Sequence, residues 1–71
     1  MKRATAVNSD DSRDRILSAA EALFRRYGYA KTTVGEIARD AGMSPANVYR
    51  FFDGKAEIVA AIADMWLAEM E

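Results

Sequence analysis

The sequence predicts an all-α fold: a three-helix bundle holding a helix-turn-helix, followed by the start of a fourth, connecting helix. Three observations carry that expectation. Apolar residues recur at helical spacing in four segments, and no stretch of the 71 residues alternates as a strand would. The segments begin or end on cap signals. The middle two are joined by Gly42-Met43-Ser44 alone, which is too short for anything but a sharp turn.

Residues 1–11, MKRATAVNSDD, have no apolar period and read as a flexible arm. Asp11 or Ser12 suits the cap of helix one, and Asp14 suits its first turn. Ile16, Ala20, Leu23, Phe24 and Tyr27 then form one helical face, and Gly28 is a natural stop. After the connection Lys31-Thr32-Thr33, Thr33 and Glu36 match a capping box, so helix two should start at Val34. Ile37, Ala38 and Ala41 face inward, and Gly42 ends the helix. Ser44 with Pro45 is again a cap followed by proline at the first helical position. Helix three should run from Pro45 to about Phe52, with Val48, Tyr49 and Phe52 on one side. Asp53 or Gly54 caps helix four, with Glu57 three residues after Gly54. Ile58, Val59, Ile62, Met65, Trp66 and Met70 spread over an arc of about 160°, well past the usual ~100° stripe, and Leu67 lies beyond it. Helix four therefore carries more apolar surface than three short neighbours can cover.

Composition narrows the chemistry. Without Cys or His there is no thiol nucleophile, no imidazole base and no common metal ligand set, so neither a metal nor a cofactor is expected. Glu36, Asp40 and Asp53 fall near caps or on exposed faces with no catalytic partner, which argues against an enzyme. No apolar run approaches the ~18 residues of a membrane span, and the start lacks a signal-peptide core, so a soluble, cytoplasmic protein without membrane attachment is expected. Charge is uneven. Residues 12–55 hold eight basic and five acidic side chains, whereas 56–71 hold four acidic and no basic ones. The middle suits an anionic partner and the end repels one.

The helix-turn-helix reading gives that anion an identity. Ala38 is small where two helices must approach, Gly42 can take the positive φ of the turn, and Ile37, Met43 and Val48 are apolar where the pair must sit on helix one. A recognition helix presents its N-terminal residues to the DNA major groove and need not be long. Asn47 is the group at that edge able to bond adenine bidentately, while Pro45 and Ala46 can pack on thymine methyls. Ser44 and the helix N-terminus favour a phosphate. A plain helical corner and a protein-interaction bundle are the alternatives, and salt-dependent binding to duplex DNA separates them from the first reading.

From about Ser12 to Trp66 the chain resembles the N-terminal DNA-binding domain of the TetR (tetracycline-repressor-like) family. The resemblance is carried by Thr33-Val34-Gly35-Glu36-Ile37-Ala38, Ala41-Gly42-Met43-Ser44, and Val48-Tyr49-Arg50-Phe51-Phe52 followed by Lys55. Ile16-Leu17, Ala19-Ala20, Leu23-Phe24 and Tyr27-Gly28-Tyr29 match the family's first helix. It implies sequence-specific binding to a double-stranded operator by a head at residues 12–54. Helix four, 55–71, would lead into a missing C-terminal domain that forms a homodimer and takes a small-molecule effector. The chain would then be a fragment of a ligand-responsive repressor. Carried over by position, Thr33 and Lys55 contact phosphates, and a lysine at a helix N-terminus is otherwise unfavourably placed. Tyr49 would offer its phenol to a phosphate while its ring packs inward, or serve only as a core tyrosine. Two departures stand out. Phe51 occupies a position where histidine is common and is expected to pack, and Gly35 replaces a longer side chain, so base reading falls to helix three. Arg50 reaches either guanine or phosphate.

Overall fold

The computed structural model describes residues 9–69. Residues 1–8 of the expected arm, and Met70 of the apolar arc on the last helix, lie outside the described residues. Four helices follow in order, α1 (Ser9–Tyr27), α2 (Val34–Ala41), α3 (Pro45–Tyr49) and α4 (Lys55–Glu69), with no strand among the described residues.

Helix α1 starts at Ser9, so the expected cap at Asp11 or Ser12 is corrected: both lie inside the helix. Asp11, inside the first turn, suits the positive end of the helix dipole. Its far end is as expected. Gly28 takes φ +93, its amide donates to the Phe24 carbonyl at 2.9 Å, and Arg25 and Arg26 occupy the last turn.

The capping box on α2 is complete. The Thr33 hydroxyl accepts from the Glu36 amide at 3.1 Å, and the Glu36 carboxylate accepts from the Thr33 amide at 3.0 Å. At the other end Gly42 sits at φ +77. The Met43 amide reaches back to the Ala38 carbonyl at 2.9 Å and the Gly42 amide to Arg39 at 3.1 Å, the bond pair of a Schellman motif.

Helix α3 has five residues and stops at Tyr49, short of the expected Phe52. Beyond it the Phe51 and Phe52 amides converge on the Val48 carbonyl at 2.9 and 3.0 Å. Neighbours in a regular helix point about 100° apart. Tightening the chain there lets Phe52 enter the core while Phe51 packs against it. Tyr49 does not join them: it is 52% exposed, which removes it from the expected inward face. Tyr27, expected on the inner face of α1, is exposed as well.

The core is a single cluster. Ile16, Leu17 and Ala20 of α1 meet Ile37, Ala38 and Ala41 of α2, Val48 and Phe52 of the third segment, and Ile58 and Ile62 of α4. Helix α1 packs on both α2 and α4, and α2 carries α3. The Gly54 carbonyl accepts from the Ile58 amide at 3.2 Å, so Gly54, of the two candidates, caps α4. The surplus read on that helix is real: Val59, Met65, Trp66 and Leu67 remain exposed, Leu67 by 63%.

Candidate nucleic-acid interface

The outer surface of α3 follows from its register. Val48 is fully buried, so Pro45 and Tyr49, four residues apart, and Ala46 and Arg50, likewise, share the outward side. All four are exposed. Ser44 caps the helix by accepting from the Asn47 amide at 3.2 Å. Its hydroxyl accepts in that bond, so its own hydrogen can still be donated to an anion. Thr33, which caps α2 in the same way, is equally able to donate.

Asn47 is less free than its position on the leading edge implies. It is half-buried, and its Nδ2 donates to Met43 Sδ at 3.4 Å. A thioether is a weak acceptor, so turning the amide toward a base edge sacrifices little. Lys55 is half-buried too, and its Nζ donates to the Tyr29 carbonyl at 2.7 Å while lying 4.3 Å from the centre of the Tyr29 ring. Its unfavourable place at the start of α4 therefore has an intramolecular explanation, and Tyr29 in turn packs against Phe24 with ring centres 5.4 Å apart and planes tilted by 49°. The ammonium keeps two further hydrogens for a phosphate.

Charge is distributed to the same effect. Among the described residues Lys31, Arg39 and Arg50 are exposed and make no ion pair, side-chain hydrogen bond or ring contact. Glu36 is occupied by the capping box, and Glu21 pairs with Arg25 at 2.9 Å. Lys31, Arg39 and Arg26 border an open groove of about 560 Å³ between α1 and α2, where Glu36 and Asp40 offset two of the three positive charges. Among the described residues no cluster of acidic side chains has the makings of a metal site, and no helix is long and apolar enough to cross a membrane.

Two structural residues carry no signal in the sequence. Thr32, in the connection after α1, is fully buried, and its hydroxyl donates to the Gly28 carbonyl at 2.9 Å, tying the loop to the end of α1. Arg15 reaches from α1 to the Ala41 carbonyl at 2.7 Å. A buried threonine flanked by another threonine carries no distinguishing signal. A bond spanning 26 residues carries none in periodicity either.

Two short helices joined by a glycine turn, the second showing an exposed, capped N-terminal edge, define a helix-turn-helix DNA-binding head. The comparisons agree. Residues 16–62 match the family model described as bacterial regulatory proteins, tetR family. Among curated proteins the chain is similar to the HTH-type transcriptional regulators TtgR, 39% identical over 64 residues, and SrpR, 39% identical over 62, both of Pseudomonas putida. These matches cover 90% and 87% of this chain but only 30% and 29% of the relatives, so the chain spans less than a third of their length. Among solved structures the fold matches the fatty acid degradation regulator FadR from Bacillus halodurans with a TM-score of 0.80, at 22% identity, over 92% of this chain and 33% of that one. The chain belongs to the TetR family of DNA-binding transcriptional regulators.

Proposed function

We propose that this chain reads a double-stranded operator by placing the segment 45–52 in the major groove. The observation that carries the proposal is the outward face of α3, where Pro45, Ala46, Tyr49 and Arg50 stand exposed while Val48 anchors the helix behind them. Pro45, Ala46, Asn47 and Arg50 are the base-reading candidates, and Thr33, Ser44, Tyr49 and Lys55 hold the phosphates. With its ring more than half exposed, Tyr49 is free to offer its phenol to the backbone.

Residues 12–54 serve as the head in this reading, and α4 leads from it into a C-terminal domain that forms a homodimer and binds a small-molecule effector. The whole acts in the cytoplasm as a ligand-responsive repressor, with no enzymatic step. Support comes from the relatives' length and from the exposed Val59, Met65, Trp66 and Leu67. Selecting duplexes from a random-sequence library with the intact protein tests the proposal. Enrichment of a two-fold symmetric site, with half-sites about one helical turn apart, is the expected result. Recovery of no preferred sequence would overturn it.

A further inference from the structure

We propose that Arg15 is a positioning residue for the recognition segment, fixing from α1 the turn that aims α3; the proposal rests on the DNA-reading role above. Its Nη2 donates to the Ala41 carbonyl at 2.7 Å. Ala41 closes α2, and its carbonyl is one of those a helix end leaves without an internal partner. The Ala38 and Arg39 carbonyls are taken by the Met43 and Gly42 amides, so the guanidinium completes the end that the turn itself leaves open. Its charge also lies at the negative end of the α2 dipole.

Gly42 belongs to the same device. A Cβ at this position would lie 3.1 Å from Arg15 Nη2. Glycine is favoured here by φ +77, and a Cβ would in addition press the guanidinium back by a few tenths of an ångström from the carbonyl it reaches. Arg13, two residues earlier on α1, lies 5.4 Å from the centre of the Phe52 ring, at the end of the segment 45–52. Two arginines of helix one therefore touch the chain on either side of α3, at Ala41 before the turn and at Phe52 beyond the helix, and neither belongs to its outward face.

A positioning role and a direct phosphate contact differ in their response to salt. The intact protein and its Arg15→Ala and Arg15→Lys variants are titrated with a duplex selected by the unmutated protein and with random duplex of equal length, over a salt series. Arg15→Ala should lower the ratio of selected to random affinity by about tenfold, the scale of one lost base contact. The salt slope on random DNA should not change, and Arg15→Lys, which keeps a donor and the charge, should recover part of the ratio. A slope smaller by about 0.9 makes Arg15 a phosphate contact and overturns the proposal. Equal losses on both duplexes overturn it too. Should Arg15→Ala fail to fold, Arg15→Met, which keeps the apolar stem and loses the donors, takes its place under the same two readings. An unmutated protein that selects no sequence refutes the DNA reading itself, before any variant is measured.

Discussion

At the scale of single residues the proposed interface draws on groups with one bond committed and another to give. Asn47 spends an amide hydrogen on a weak thioether acceptor, so base recognition competes with little. Asn47→Ala in the intact protein should cost ~1–3 kcal/mol on a selected site and much less on random duplex. Equal losses in the two titrations would remove Asn47 from base readout. Lys55 is the sterner case, because its bond to the Tyr29 carbonyl and its place over that ring already account for its position. If it also holds a phosphate, Lys55→Ala weakens every duplex alike and reduces the salt slope by about 0.9. An unchanged slope leaves it as a clamp between α4 and the loop after α1. Tyr49→Phe isolates the phenol; since the ring is largely solvent-exposed, this change should leave stability alone and weaken DNA binding. A drop in melting temperature would instead show the hydroxyl to be structural.

At the scale of elements, the caps were the legible part and the cross-helix bonds were not. Thr33 with Glu36, Ser44 with Pro45, and the glycines at 28 and 42 set local φ, ψ and amide satisfaction within a few residues, so sequence spacing alone locates them. The start of α1 is not legible in this way, because Asp11 and Ser12 are cap types that here lie within the helix, and residue type alone does not separate a cap from a first-turn position. Tyr49 was placed inward by apolar periodicity. In a helix of five residues a single residue, Val48, suffices to fill the inner face, and the next position falls outside it. The Arg15 and Thr32 bonds depend on how the helices sit on each other, which no local pattern encodes. The capping box yields a direct test. Thr33→Ala should destabilise the chain by about 1 kcal/mol in a thermal melt, while Thr33→Ser, which keeps the oxygen acceptor, should cost far less. Equal losses for the two would mean that the methyl, not the cap, matters.

At the scale of the whole molecule, α1 serves as the hub: it packs on α2, which carries the recognition segment, and on α4, whose outer face is bare. The groove between α1 and α4, about 280 Å³ and lined by Phe24, Val59, Ile62, Ala63 and Trp66 with Glu21 and Arg25 at its side, continues that apolar face. Trp66 also lies under the Arg25 guanidinium at 5.4 Å, so the end of α4 is registered on α1 even though 45% of Trp66 is exposed. In the proposed reading this head carries the DNA-contacting side chains, and the C-terminal domain would hold a second copy at operator spacing. Helix-turn-helix dimers need their heads ~34 Å apart, and a tether raises the effective concentration of the second head so that affinity gains ~10²–10⁴. Residues 1–71 alone should therefore bind duplex DNA near the non-specific range, on the order of 10⁻⁴–10⁻⁶ M at physiological salt. Fusion to an unrelated dimeriser of suitable span should restore part of the lost affinity, because the proposed recognition surface, Thr33 to Lys55, lies wholly within these residues. Titration of the 71-residue chain against a site selected by the intact protein decides between the two accounts. Binding as tight as that of the intact protein would mean that the head alone sets affinity, and that the bare face of α4 serves something other than a dimerising domain.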